Sequence, residues 1–241
     1  MKIRFDEIHS TSTYIREHIS MFSHGDCVTA SFQTAGRGQR GNSWESERGA
    51  NALLSILLHP HALPPADGFA LNHIVALAIL DVLRDLMPQH QVMVKWPNDI
   101  YVNDLKLCGI LIESAMSGSR IESAVVGIGF NVNQERFLSD APNPVSMFQL
   151  TGKKYNIDDI VDAVTLSVTH RYARYVDGED FYDEYMCNLY RCQEWHDYID
   201  SQGLRFTGMI TDVRPDGLLV VRLKDDSSLR SFEFKTIKYI I

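Results

Sequence analysis

The run VMVKWPNDIYVNDLKLCGILIE, residues 92–113, contains three short segments rich in β-branched and apolar residues. Pro97-Asn98-Asp99 separates the first two segments, and Asn103-Asp104 separates the second from the third. Proline, asparagine and aspartate favour tight turns between strands. The run therefore predicts consecutive hairpins, and with them an antiparallel sheet.

On both sides of this run, strands and helices are predicted from the spacing of apolar residues. Phe69 to Met87 carries them at i, i+3, i+4 and i+7, which indicates a helix that Pro88 ends. Further strands are predicted at residues 3–9, 26–33, 52–58 and 121–130, and further helices at 12–21, 157–176 and 180–192. After about residue 194 come short strands at 204–211, 218–223 and 228–234. The sequence thus predicts an α+β protein: a mixed, largely antiparallel sheet flanked by helices over residues 1–193, then a small β-barrel over residues 194–241.

Composition excludes several classes of protein. The chain has 241 residues, of which 45% are hydrophobic and 22% charged, so it can bury a core without stabilisation by disulfide bonds or a bound metal. Its net charge of −8 disfavours DNA binding through bulk charge. The four cysteines form no C-x-x-C pair and the N-terminus has no apolar signal region, so we expect a cytoplasmic protein. Charged residues interrupt the longest apolar run, 69–87, so no membrane span is expected.

A loop with the sequence GRGQRG, residues 36–41, is the first candidate for chemistry. Glycines let backbone N–H groups approach an anion, and arginines pair with phosphate or carboxylate oxygens. The loop matches neither the P-loop pattern nor G-x-G-x-x-G opening a helix. Taken alone, it fits a solvated surface loop as well as it fits an anion-binding loop, whereas an RNA-binding segment is disfavoured because the motif is single and the chain is acidic.

Two further candidates lie at strand ends. A tight turn brings Asp99 and Lys106 towards one cleft, where a carboxylate could accept a proton and a lysine could stabilise developing negative charge. Asn131 follows a strand that contains Gly127 and Gly129, and its amide could contact a phosphate. In isolation, each set is better explained by the preference of these residue types for turns.

In combination and in order, these segments resemble the biotin–protein ligase family, whose members biotinylate carboxylase carrier domains. The matching segments are STS (10–12), QTAGRGQRG (33–41) with Trp44, GAN (49–51), KWPND (95–99), KLCGILIE (106–113) and GIGFNV (127–132). The resemblance implies a class II synthetase-like catalytic domain followed by an SH3-like barrel. It also implies ATP-dependent ligase activity that passes through biotinyl-5′-AMP, with ATP, Mg²⁺ and biotin as ligands.

The resemblance also implies roles for individual residues. Those expected to bind biotin are Ser10, Thr11, Ser12, Gln33, Gly36, Arg37, Gly38, Gln39, Lys106 and Gly109. Those expected to bind ATP or the adenylate are Arg37, Arg40, Trp44, Asn51, Asn98, Lys106 and Asn131. Lys106 and Arg37 would act in catalysis, with Asp99 receiving the acceptor lysine, and Mg²⁺ would come with the ATP phosphates. Gln39 stands where some members have arginine, and Lys235 or Lys238 could substitute for a C-terminal arginine of some members.

Two other functions are related to this one and are less consistent with the sequence. Lipoate or octanoate ligases and transferases have a related fold, but they carry an Arg-Arg-x-Ser-Gly-Gly-Gly segment where this chain has Gly-Arg-Gly-Gln-Arg-Gly. A biotin-sensing repressor would need a helix-turn-helix domain, and only nine residues precede Ser10. We therefore expect a monofunctional ligase whose partners are biotin, ATP and the biotin carboxyl carrier protein of a biotin-dependent carboxylase, with no DNA and no membrane. A homodimer is compatible with the sequence, which does not determine the oligomeric state.

Overall fold

The computed structural model describes residues 1–138 and 142–241, except for the side chain of Arg40. The strands are β1 (Lys2–Ile8), β2 (Cys27–Gln33), β3 (Ala52–Leu58), β4 (Val92–Lys95), β5 (Asp99–Val102), β6 (Leu105–Ser117), β7 (Arg120–Phe130), β8 (Trp195–Asp200), β9 (Arg205–Val213), β10 (Leu219–Leu223), β11 (Leu229–Phe232) and β12 (Ile237–Tyr239). The helices are α1 (Thr11–Glu17), α2 (Ala70–Leu86), α3 (Met147–Thr151), α4 (Ile157–Val176) and α5 (Tyr182–Cys187).

The first seven strands form one sheet in the order β1-β2-β3-β7-β6-β5-β4. Only the β1–β2 pair is parallel, and every other neighbouring pair is antiparallel. The predicted mixed, largely antiparallel sheet is therefore confirmed. The hairpins predicted from residues 92–113 are β4–β5 and β5–β6, and they form one edge of this sheet.

Helices cover both faces of the sheet at its centre. All seven residues of β3 are buried, as expected for a strand covered on both faces. Leu54, Ile56 and Leu58 point to the main core with α2 and α4, whereas Leu57 packs with Ile15 of α1 on the opposite face. Because side chains alternate along a strand, Ser55 also faces α1.

The C-terminal strands form a second, five-stranded antiparallel sheet in the order β11-β10-β9-β8-β12. It packs against the first sheet through Trp96, whose Nε1 donates a hydrogen bond of 3.0 Å to the carbonyl of Gly217. Gly217 has a φ of +87°, and a Cβ there would lie 2.7 Å from the ring of Phe69. Only glycine therefore fits this contact between the two sheets.

Several predicted elements differ from the structure. The first helix ends at Glu17 and is followed by a 3-10 turn, and α5 ends at Cys187 rather than at residue 192. Strands β8 and β12 were not predicted, because aromatic and charged residues hide their alternation. Helix α3 was also not predicted, although its capping box, formed by Ser146 and Gln149, can be recognised from the sequence. The sequence also predicts a loop at residues 134–147, part of which lies outside the described residues.

None of the helices in the described ranges combines the length and the apolar character that crossing a membrane requires.

Candidate active site

A cavity of about 1080 Å³ opens at the end of the first sheet where α1 begins. Its walls come from the N-terminus of α1, the end of β2, the loop 37–45, the turn between β4 and β5, the glycine-containing parts of β6 and β7, and the C-terminal strand β12. Segments far apart in sequence thus meet around one space of a size suited to a nucleotide-sized ligand.

Most of the predicted site residues line this cavity. They are Ser10, Thr11, Ser12, Gln33, Arg37, Gly38, Gln39, Trp44, Asn98, Asp99, Lys106, Gly109 and Asn131. Gly36 and Asn51 are not among the lining residues. The prediction for the side chain of Arg40 lies outside the described part of the structure.

One wall is neutral, polar and buried. Ser10 caps α1 by accepting from the backbone N–H of Thr13 at 3.4 Å, and this cap turns the next two hydroxyls inward. Thr11 Oγ1 lies 2.7 Å from Ser55 Oγ, and Ser12 Oγ lies 2.8 Å from the same atom. Gln33 Oε1 accepts from the backbone N–H of Thr11 at 2.8 Å.

A second wall is formed by the indole of Trp44 lying over two glycines. Gly109 and Gly129 are paired across β6 and β7. A Cβ on Gly129 would lie 2.4 Å from the indole, and one on Gly109 would lie 2.7 Å from it. No side chain fits at either position without moving Trp44, so the two glycines create the flat surface on which the ring lies.

The third wall carries charge. Lys106 Nζ lies 2.6 Å from Asp99 Oδ1, and both side chains are largely but not fully buried. A register shift between β5 and β6 places Tyr101 opposite Lys106 and Asp99 opposite Gly109. Lys106 Nζ is also 5.5 Å from the centre of the Trp44 ring. The pair predicted from the turn is therefore formed, and it faces the cavity.

Arg37 pairs with Glu113, which lies in the matching segment 106–113 but has no predicted role. Both terminal nitrogens of its guanidinium donate to the carboxylate of Glu113 on β6. Arg16 of α1 also donates to Glu113, at 3.2 Å. Glu113 thereby holds the loop that begins at Arg37 against the sheet.

Three further lysines reach the cavity, although the sequence assigned them no definite role. Lys95, from the KWPND segment, lies over the rings of Tyr101 and Tyr239 at 5.1 and 4.5 Å. Burial lowers the pKa of Lys95 below its usual value. Lys235 donates a hydrogen bond of 3.1 Å to the carbonyl of Gln39, which links the C-terminal sheet to the loop. Lys238 also lines the cavity.

The predicted asparagines have different surroundings. Asn51 lies behind the wall: its Oδ1 accepts from the backbone N–H of Val132 at 3.0 Å, and its Nδ2 donates to Ser46 and Gln134. Its hydrogen bonds are thus made within the protein, where they connect two loops. Asn131 donates to the carbonyl of Val145 at 3.1 Å, whereas its buried Oδ1 has no hydrogen-bond partner among the described residues. Asn98 donates to the carbonyl of Ile110.

Comparison with known proteins points to one family. The model described as Biotin/lipoate A/B protein ligase family matches residues 5–131. The chain is 38% identical over 136 residues to the bifunctional ligase/repressor BirA of Salmonella typhimurium, covering 56% of this chain and 42% of that protein. It is 35% identical over 148 residues to the biotin–[acetyl-CoA-carboxylase] ligase of Paracoccus denitrificans, covering 56% and 58%. The match thus spans about half the length of these curated relatives.

The fold is similar to that of a solved biotin protein ligase from Aquifex aeolicus in complex with biotin and ATP. The similarity covers 99% of both chains with a TM-score of 0.80 and 21% sequence identity, which establishes the fold. Since the family model matches more than half of the 241 residues, this chain belongs to the biotin/lipoate A/B protein ligase family.

Proposed function

We propose that the chain is an ATP-dependent biotin–protein ligase. A biotin carboxylate oxygen attacks the α-phosphorus of ATP, the bond to pyrophosphate breaks, and biotinyl-5′-AMP forms. The amine of a carrier-protein lysine then attacks the acyl carbon, AMP leaves, and an amide bond forms. The carrier is proposed to be the biotin carboxyl carrier protein of a biotin-dependent carboxylase.

The observation that carries this proposal is that a single cavity holds a neutral polar wall and a cationic wall together. A neutral wall of hydroxyls and an amide suits an uncharged heterocycle, whereas Lys106 and Arg37 suit the two anions that must meet in the first step. Fixed positive charge at that point offsets the repulsion between carboxylate and phosphate. No covalent intermediate with the protein is needed.

Asp99 has a proposed role in the second step. Its carboxylate is bound to Lys106 at 2.6 Å and lines the cavity. Once Lys106 interacts with the adenylate phosphate, Asp99 is available to orient the incoming amine and to accept its proton.

The loop from residue 37 to residue 45 is proposed to shield the adenylate from water. It contributes Arg37, Gly38 and Trp44 to the cavity, and it is held by Glu113 at Arg37 and by Lys235 at Gln39. An acyl-adenylate hydrolyses readily, so exclusion of water favours transfer over loss.

Mg²⁺ is proposed to enter with ATP. Within residues 1–138 and 142–241, no three His, Cys, Asp or Glu side chains cluster around a common point. A phosphate-bound Mg²⁺ keeps several waters and needs only one or two protein carboxylates, and Asp99 and Glu45 are carboxylates that line the cavity. When bound, the ion would neutralise phosphate charge.

The test is reconstitution with a purified carrier domain. The chain, biotin, ATP and Mg²⁺ are expected to add one biotin to the carrier lysine, as measured by intact mass. A carrier in which that lysine is replaced by arginine serves as the control. Parallel reactions with lipoate and with octanoate should give little product. Efficient transfer of either acid in place of biotin, or no labelling of a competent carrier, would refute the proposal.

A further inference from the structure

Ser55 is the one polar residue in the buried strand β3, whose sequence is ALLSILL. Its side chain is 0% exposed, and it is not among the residues that line the cavity. It contacts two residues that do line it, Thr11 at 2.7 Å and Ser12 at 2.8 Å. Ser55 can therefore influence a ligand only through these two hydroxyls.

The direction of the hydrogen bonds in this cluster follows from Gln33. A backbone N–H can only donate, so the amide atom 2.8 Å from the N–H of Thr11 must be the oxygen of Gln33. Thr11 Oγ1 lies 3.1 Å from the same oxygen. Two oxygens can share a hydrogen bond only if one donates, and the amide oxygen cannot. The single hydroxyl proton of Thr11 therefore goes to Gln33.

The remaining protons are then determined. Because Thr11 has used its proton, Ser55 must donate to Thr11 Oγ1. Because Ser55 has then used its own proton, Ser12 must donate to Ser55 Oγ. The hydrogen bonds therefore share one donor-to-acceptor direction, from Ser12 to Ser55, from Ser55 to Thr11, and from Thr11 to the oxygen of Gln33.

This order determines what the wall offers to a ligand. With their protons committed, Ser12 and Thr11 present only lone pairs to the cavity, and so they act as acceptors. The Nε2 of Gln33 keeps two N–H donors, because only the oxygen of this amide takes part in the series of hydrogen bonds. Acceptors beside donors match a cyclic urea, which has N–H groups and a carbonyl. A dithiolane or an alkyl chain has neither.

We propose that Ser55 is a positioning residue that makes this wall selective for an acid bearing a cyclic urea. The inference rests on the proposed ligase function, and it adds a specificity role for a residue that does not touch the ligand. Without the Ser55 hydroxyl, the proton of Ser12 loses its acceptor and turns into the cavity, where it opposes a ligand N–H.

The experiment compares the wild type with Ser55→Ala in the adenylation half-reaction, followed as ATP–pyrophosphate exchange. The expected result is a KM for biotin about tenfold higher, as for the loss of one or two well-formed hydrogen bonds. Dethiobiotin, which keeps the urea and lacks the sulfur, should show the same rise. The kcat at saturating biotin and the KM for ATP should stay within about twofold, since neither depends on the hydroxyl chain.

Two controls separate this role from a general loss of packing. Thr29 on β2 is also buried, and its hydroxyl donates to the carbonyl of Leu53 at 2.9 Å, away from the cluster. Thr29→Ala should leave the KM for biotin unchanged. Ser55→Thr and Ser55→Val have nearly the same shape and differ in the hydroxyl, so the threonine variant should show a lower KM for biotin than the valine variant.

The outcomes distinguish this inference from the proposed function. If the wild type forms no biotinyl-5′-AMP, the proposed function fails. If the wild type is active and Ser55→Ala has the wild-type KM for biotin, the positioning role is refuted. An equal rise in the KM for biotin and for ATP, or equal values for Ser55→Thr and Ser55→Val, would make Ser55 a structural residue only.

Discussion

The neutral wall of the cavity is held by buried hydrogen bonds between uncharged groups, whereas the charged wall is held by more exposed ion pairs. Thr11 is hydrogen-bonded to Gln33, and Ser12 is linked to Thr11 through Ser55, all by bonds between uncharged groups. Thr11 and Ser12 are almost fully buried. Arg37 and Lys106 are more exposed, and each is already paired with a carboxylate. The first wall is complete before a ligand arrives, whereas the second must exchange partners when one binds.

This difference separates recognition from chemistry. Neutral hydrogen bonds with a fixed direction discriminate between ligands, because a mismatched group leaves a buried atom unpaired. Ion pairs that water can still reach are partly screened, so they exchange partners at a smaller cost than fully buried pairs. Substitutions in the charged wall should therefore act on kcat, and those in the neutral wall on the KM for biotin.

The largest effect is expected for Lys106→Ala. Loss of the cation at the point where carboxylate and phosphate meet should lower the rate of adenylation about 10²- to 10³-fold. Single-turnover formation of biotinyl-5′-AMP measures this effect. Lys154→Ala, which removes an exposed lysine paired with Glu135, is the matched control and should be neutral. A near-normal rate in Lys106→Ala would remove the main support for the charged wall as the reacting centre.

Asp99→Asn should separate the two half-reactions. The amide keeps the shape of the side chain but cannot accept a proton, so transfer from preformed biotinyl-5′-AMP to a carrier domain should fall about 10²-fold. Adenylation should fall much less, because Lys106 keeps its charge. Quenched mixing with radiolabelled adenylate measures the transfer step. Equal losses in both steps would show that Asp99 acts only by holding Lys106.

Gly129→Ala tests the contact between the glycine surface and Trp44. The added Cβ would lie 2.4 Å from the indole, so the ring must move, and we expect about a tenfold loss in kcat/KM, as for an overpacked contact. The measurement is a double-mutant cycle with Trp44→Ala. In that background the second substitution should cost little. Additive losses would show that the glycine matters for another reason.

The smallest effect is expected for Glu113→Gln, which weakens the pair that holds Arg37. Because both side chains are partly exposed, the change should be worth less than about 1 kcal/mol and should shrink as salt is added. It should appear as a few-fold rise in the fraction of adenylate lost to water before transfer. Glu135→Gln, on the exposed pair with Lys154, is the control. A large effect that persists in salt would show that Glu113 acts through more than a partly exposed ion pair.

Local patterns predicted most of the first sheet. The bounds of β3 and α4 agree with prediction, and those of α2 and β7 agree within one residue at each end. In these segments apolar spacing is undisturbed, so the buried face can be recognised from the sequence. Strand β8 pairs with its neighbour in sequence, β9, and with the distant β12. The alternation of β8 and β12 is masked by Trp195, His196 and Lys238.

The site was predicted only in part, for a related reason. Asp99 and Lys106 lie on adjacent strands, so their meeting follows from local turn chemistry. Ser55 was missed because a serine in an apolar strand has no local signal of function. Asn51 lies in a matching motif, but its hydrogen bonds are made to Val132, Ser46 and Gln134. The domain limits at residues 193 and 194 stay a prediction.

By itself, the sequence determined the class of fold, the order of the motifs and the family resemblance, because turn residues and apolar spacing act over a few residues. Only the tertiary structure decided which groups face the cavity, that Glu113 holds Arg37, and that Ser55 lies between Thr11 and Ser12. Hydrogen-bond direction depends on which donors and acceptors meet at about 3 Å. In this chain those partners come from α1, β2 and β3, up to 44 residues apart.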